Sequence, residues 1–231
     1  MRLGNTMRLI RLINPNTSKA TTAMMTSIAR AILPPDFEIE GVTATTGVPM
    51  ILDELRLAQA AAGVVEMGLA KADRLAGIII SAFGDPGIEI LREKLDIPVV
   101  GICEASMLEA SAGGRRFGIA TVTPALVGSF AAKTVTLGIG HLFTGTRLTG
   151  EEPEALAADP QRLEEALAGA VKKCFSADGA EAVIIGGGPL GQAAIGLGRR
   201  FSAPVIAPIP AAVAMLIERL GARQGGEPQS R

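Results

Sequence analysis

The sequence predicts an α/β fold of two similar doubly wound parallel-sheet lobes, related by pseudo-twofold symmetry, with an active-site cleft between them. Three observations carry this. Short uncharged apolar runs alternate with longer segments of helical periodicity along the chain. The run at 76–80 leads into Ser81-Ala82-Phe83-Gly84-Asp85-Pro86-Gly87, the pattern of a strand buried on both faces, a tight loop and a helix start. That arrangement recurs: Ala182-Val183-Ile184-Ile185 runs into Gly186-Gly187-Gly188-Pro189, and residues 76–105 align with 182–211 without a gap at a constant offset of 106. The halves divide at 7–114 and 115–210, with the last helix, 211–221, packing back on the first lobe and 222–231 a mobile tail.

The elements follow in order. Residues 1–6 read as a loose extension, and 8–13 as the first strand. Asn14-Pro15-Asn16-Thr17-Ser18 is a turn rich in capping residues; a helix follows over 19–32 until Pro34-Pro35 stops it. Residues 37–44 alternate as a strand does, with a loop over 45–49, and 52–75 is the longest helical pattern. After the strand at 76–80, Asp85 is suited to N-cap, and Pro86 to start, a helix over 88–95, where no backbone N–H is needed. A strand over 97–102 precedes the helix opened by Cys103-Glu104-Ala105-Ser106, and 113–116 marks the crossing between halves. The second half reads as a strand over 117–122, the cap-plus-proline pair Thr123-Pro124, a helix over 125–137, a short strand near 142–148 and an amphipathic helix over 161–176. Its focal strand and loop are followed by a helix, a strand over 204–206 and a last helix over 211–220.

Composition excludes several functions. Net charge is −1 with no basic block, so no nucleic-acid partner is expected. Hydrophobic residues at 48% against 19% charged indicate a globular chain. No run of about 18 apolar residues occurs and the first residues lack a signal-peptide core, which points to a cytoplasmic protein with no membrane partner. Cys103 and Cys174 lack metal-ligand spacing and His141 is the sole histidine, so neither a zinc site nor a His-based triad is expected. A homo-oligomer is compatible with so apolar a chain. With no Trp or Tyr, a small-molecule substrate would be bound with little aromatic stacking.

In an open parallel sheet, ligands sit at the carboxyl ends of the strands. That places Asn14, Thr46, Ser81, Phe83, Thr121, Thr123 and Gly188 at the cleft as substrate-binding candidates. Asn14, at a strand end before a proline, reads as a ligand contact, whereas Thr17, Ser18 and Thr123 also suit helix caps and Asp85 reads as a cap rather than a base. Glu104 either points into the cleft or caps its helix. The triplet Gly186-Gly187-Gly188 either lets a ligand approach the backbone or permits a turn.

The stretch Leu12-Ile13-Asn14-Pro15-Asn16-Thr17-Ser18, together with Phe83-Gly84-Asp85-Pro86-Gly87 and Asp96-Ile97-Pro98-Val99-Val100-Gly101, resembles hydantoin racemases of the Asp/Glu/hydantoin racemase superfamily, in matching order from about 8 to 215. The resemblance implies two related α/β lobes, a cleft between them, no cofactor and no metal. It also implies proton transfer at an acidic carbon by two cysteines on opposite faces of the substrate, one thiolate and one thiol. The family's first cysteine falls at Ala82 and its second at Gly187, and neither residue can move a proton. Cys174 reads as structural. Ser81, Cys103 and Glu104 are then the candidate proton carriers of an isomerase or decarboxylase using other groups; a non-catalytic ligand-binding homologue is the alternative.

Overall fold

The computed structural model describes residues 7–224. The extension expected at 1–6, and the tail from 225 on, lie outside the described residues; 222–224 are helical. The first sheet contains β1 (Arg8–Asn14), β2 (Phe37–Thr43), β3 (Leu75–Ile80) and β4 (Val99–Gly101), and the second contains β5 (Phe117–Thr121), β6 (Phe143–Leu148), β7 (Ala182–Ile185) and β8 (Val205–Ile206). Their orders are β2-β1-β3-β4 and β6-β5-β7-β8, and all pairings are parallel. The two orders are one permutation used twice. The helices are α1 (Lys19–Arg30), α2 (Glu54–Leu69), α3 (Ile88–Lys94), α4 (Ile102–Ser111), α5 (Val127–Thr136), α6 (Pro153–Ala157), α7 (Pro160–Ser176), α8 (Gly191–Arg200) and α9 (Pro208–Gln224). No helix among the described residues is long and apolar enough to cross a membrane.

Strand register corrects the repeat. Ile13 pairs with Ile80 where Ala120 pairs with Ile185, so β7 follows β3 at an offset of 105, not 106. Ile78 pairs with Val99 where Val183 pairs with Val205, so β8 follows β4 at 106. The second half therefore carries one extra residue between these strands, which ungapped matching spreads over both. In the corrected frame Ala82 is equivalent to Gly187. The same pairings relate β5 to β1 at an offset of 107, making Asn14 equivalent to Thr121 and Asn16 to Thr123.

Side-chain alternation along the central strands builds the core in layers. Ile79 and Ile184 face inward, where they join Met107 of α4 and Leu216 of α9 in one cluster that also holds Val100 and Ile119. Ile78 and Ile80 face the other way onto Leu91, and Val183 and Ile185 onto Val171 and Leu197. The largest core is thus shared by the two sheets, with α1, α4 and α9 packed between them. α9 lies against α4, β3 and β4, and a Cβ on Gly77 of β3 would come within 2.8 Å of the Leu216 side chain.

Several helices differ from expectation. α2 stops at Leu69 because Lys71 takes the left-handed region (φ 51°) and Arg11, from β1, donates to the exposed carbonyls of Met67 and Ala70. α9 begins at Pro208, ahead of the expected 211, since both Pro208 and Pro210 fall in the first turn. α6 adds a helix to those expected, and 124–126 form a separate 3-10 turn before α5. Capping follows sequence at Ser18, Asp53 and Asp159, whose side chains accept from the N–H groups of Thr21, Arg56 and Arg162.

Candidate functional site

The loops after β3 and β7 meet. A Cβ on Gly188 would come within 2.5 Å of the Ser81 carbonyl oxygen, and one on Gly186 within 3.3 Å of the Phe83 ring. Glycine at 188 lets the two backbones close on one another, a use of the triplet that differs from both expected from the sequence. Beside this junction lies a cavity of about 470 Å³, lined by Asn16, Ser81, Ala82, Phe83, Thr123 and Gly187 among others, and by Gly188. Ala82 and Gly187 thus line it from equivalent loops of opposite lobes.

Each lobe supplies the same small device. The Asn14 carbonyl oxygen of the side chain accepts from the Asn16 N–H at 3.2 Å, and the Thr121 hydroxyl accepts from the Thr123 N–H at 3.4 Å. A buried polar side chain at the strand end folds the chain over itself, and the residue two further on faces the cavity. Asn14 is fully buried: its amide donates to Asn16 Oδ1 (2.8 Å), the Ser18 carbonyl (3.1 Å) and Thr22 Oγ1 (2.9 Å). Thr121 is equally buried and donates to the Gly186 carbonyl at 2.7 Å. Neither lines the cavity, against their placement there from the sequence; Asn16, not singled out in the sequence, and Thr123 do line it. The signal for Asn16 was its correspondence with Thr123, visible only once the register is known.

Thr46 is also displaced. It is exposed and lines a neighbouring cavity of about 340 Å³ with Thr43, Thr45, Arg56 and Gln59. Ser81 lines the interlobe cavity, but its hydroxyl donates to the Ile13 carbonyl at 2.7 Å. The N–H groups of Phe83 and Gly188 have no protein acceptor among the described residues.

Asp85 caps a helix, but not the one that follows it in sequence. Gly87, with φ 76°, precedes α3. Asp85 itself sits in the left-handed region (φ 53°), which Asp tolerates better than most residues. Its carboxylate accepts from the N–H groups of Cys103 and Glu104, both at 2.9 Å, and so closes the N-terminus of α4. Gly101 is required below it, since a Cβ there would come within 2.1 Å of the carboxyl carbon. Lys133 of α5 lies 3.3 Å from Asp85 Oδ2 and bridges the lobes. Burial raises the Asp85 pKa from 3.8 to about 6, with Lys133 and the two N–H bonds opposing.

The other proton-carrier candidates lie away from the cavity lining. Cys103 is fully buried, and burial pushes its thiol well above the usual range, with Asp85 adding to the rise. Glu104 neither reaches the cavity nor caps its helix. It binds Arg92 at 2.5 Å and Arg219 at 2.8 Å; burial would raise its pKa, but these guanidinium groups outweigh that and hold it low. Cys174 is buried as well, and burial raises its pKa to about 12.

The description of the Asp/Glu/Hydantoin racemase family matches residues 10–216. A hydantoin racemase of Rhizobium meliloti is 29% identical over 214 residues, 92% of this chain and 89% of that protein. The structure of an allantoin racemase from Klebsiella pneumoniae superposes with a TM-score of 0.87 at 32% identity, covering 94% of this chain and 89% of the other. An allantoin racemase from Pseudomonas fluorescens gives 0.86 at 26% identity, covering 96% and 98%.

Proposed function

Because this chain belongs to the Asp/Glu/hydantoin racemase family, we propose that its interlobe cavity binds a small hydantoin-like ring and that, as it stands, the chain does not racemise that ring by the two-thiol route. One observation carries the reading: the two positions that the family resemblance assigns to thiols, Ala82 and Gly187, both line the cavity from equivalent loops, and neither side chain has an exchangeable proton. Racemisation takes a proton from one face of the acidic carbon and returns one on the other, so each lobe must supply an acid–base group. The ring would lie between the loops, with Asn16, Ser81 and Thr123 as polar contacts and Phe83 against its face. The N–H groups of Phe83 and Gly188, which have no protein acceptor among the described residues, would receive a ring carbonyl oxygen and the negative charge that develops on it. Proton transfer of this kind needs no cofactor. Cys103 and Glu104 do not replace them: Cys103 is fully buried away from the cavity lining, and Glu104 is held by Arg92 and Arg219.

The experiment pairs binding with turnover. Hydantoins should raise the melting temperature of the protein in proportion to the logarithm of their concentration. Optically pure hydantoins should keep their rotation, and their acidic hydrogen should not exchange with deuterium oxide above background. The double variant Ala82→Cys, Gly187→Cys should restore racemisation, by about 10⁴-fold or more, since each acid–base group contributes about 10²–10⁴. A thiol at 187 needs Leu190, whose Cγ would lie 3.1 Å from the new Cβ, to move by a few tenths of an ångström, and it takes on some backbone strain at φ 158°. Brisk racemisation by the unaltered chain, or no binding by any hydantoin, would overturn the proposal.

A further inference from the structure

Glu164 of α7 is the single ionisable side chain lining the interlobe cavity among the described residues. It is half-buried, and the basic side chains near it in sequence or in space pair with other carboxylates. Arg200 binds Glu165 through two hydrogen bonds, of 2.6 and 3.1 Å, and Arg162 binds Glu151 at 2.5 Å. Arg200 feels the Glu164 charge without pairing with it. This leaves Glu164 with no ion pair among the described residues. Its carboxylate rests over Gly196 of α8, where a Cβ would come within 2.7 Å of Oε2. The bare backbone of Gly196 is therefore a seat for the carboxylate, and Gln192 and Ala193, one turn earlier on α8, line the same cavity. Close by, Leu163 and Pro160 give the wall an apolar character.

We propose that Glu164 makes this cavity selective for rings whose substituent is a short methylene arm ending in a cationic nitrogen, an ammonium or a guanidinium. The inference rests on the reading that the cavity takes a hydantoin-like ring. An unpaired carboxylate beside an apolar wall is solvated less well than one in open water, so a cation that reaches it gains a charge-assisted hydrogen bond. The methylene stem covers the apolar wall while its charged head meets the carboxylate. An arm ending in a carboxylate meets like charge and is rejected. The seat over Gly196 fixes where the head must arrive, and so limits the length of the arm.

The test uses four hydantoins that differ only at carbon 5, bearing propyl, 3-aminopropyl, 3-guanidinopropyl and carboxyethyl groups, titrated calorimetrically into the full chain. The two cationic probes should bind about tenfold or more tighter than the propyl probe, and the carboxyethyl probe weaker than all three. Glu164→Gln, which keeps shape and removes charge, should bring the affinities of all four within about threefold of one another. Gly196→Ala keeps the charge but fills its seat, and should also reduce the cationic preference. An unchanged order of affinities in Glu164→Gln, with propyl binding intact, would overturn this inference alone. Failure of every probe to bind the unaltered chain would overturn the function proposed above and this inference with it.

Discussion

Asp85 and Glu104 lie on the same buried charge path, yet they answer pH in opposite directions. Asp85 has its pKa raised from 3.8 to about 6 by burial, so the stability it contributes is full below 3.8 and is lost as pH rises through about 6. Glu104 is held below 4.5 by Arg92 and Arg219, so its contribution is present above 4.5 and fades as pH falls. Asp85→Asn should therefore be most costly, relative to the parent chain, near pH 4. The gap should narrow towards pH 7 by up to about 3 kcal/mol, because a tenfold change in proton affinity between the unfolded and folded chain corresponds to about 1.4 kcal/mol. Urea unfolding at a series of pH values checks this, and a gap that widens with rising pH would contradict it. At this scale the sequence was half legible. That strand ends carry polar residues is readable from Asn14 and Thr121; that these turn inward, and Asn16 and Thr123 outward, depends on a hydrogen bond within each turn that residue types alone do not specify.

At the scale of elements, α4 is held by a residue from another part of the chain. Its N-terminal N–H groups reach the Asp85 carboxylate, and the position where a capping side chain would normally stand is Gly101, kept bare so that the carboxylate fits. Gly101→Ala should lower stability by about 3 kcal/mol or more, the range for breaking a buried charged contact, because the new Cβ must displace a carboxylate that has two hydrogen bonds and Lys133. Chemical denaturation would measure it, and a loss below about 0.5 kcal/mol, the ordinary surface range, would mean that Asp85 has room to move. The strands and most helices were legible because buried runs and amphipathic spacing are local signals. The helix ends were not where distant groups decide them: α2 stops with Arg11 of β1 on its last carbonyls, and the cap of α4 is Asp85, 18 residues before the Cys103 N–H it accepts from.

For the whole molecule, the two lobes are not two separately packed bodies. One core cluster takes residues from both sheets. Contacts from α5 add to it: Phe130 meets Phe83 edge-on at 5.0 Å, Lys133 meets Asp85, and Ser129 donates to Glu54 at 2.6 Å. Calorimetry should accordingly record a single unfolding transition in which calorimetric and van't Hoff enthalpies agree. Two resolved transitions would show that the lobes melt independently and that the shared layer is weaker than its burial suggests. The duplication itself was legible, since buried strand, small-residue loop and proline recur together. The single extra residue in the second half was not, because an ungapped match of similar apolar strands reads equally well one position out, and only hydrogen-bond register distinguishes them.

The placement of α9 bears on how the chain is made. This helix lies after every strand of the second lobe in sequence, yet it covers Gly77 and Val100 of the first sheet, and its Arg219 holds Glu104. On the ribosome the first four strands emerge well before the helix that shields their inner face, at about 5–20 residues per second. For several seconds that face has to be sheltered by other means, so a nascent chain paused between 115 and 207 is the form in which a chaperone would find most to hold.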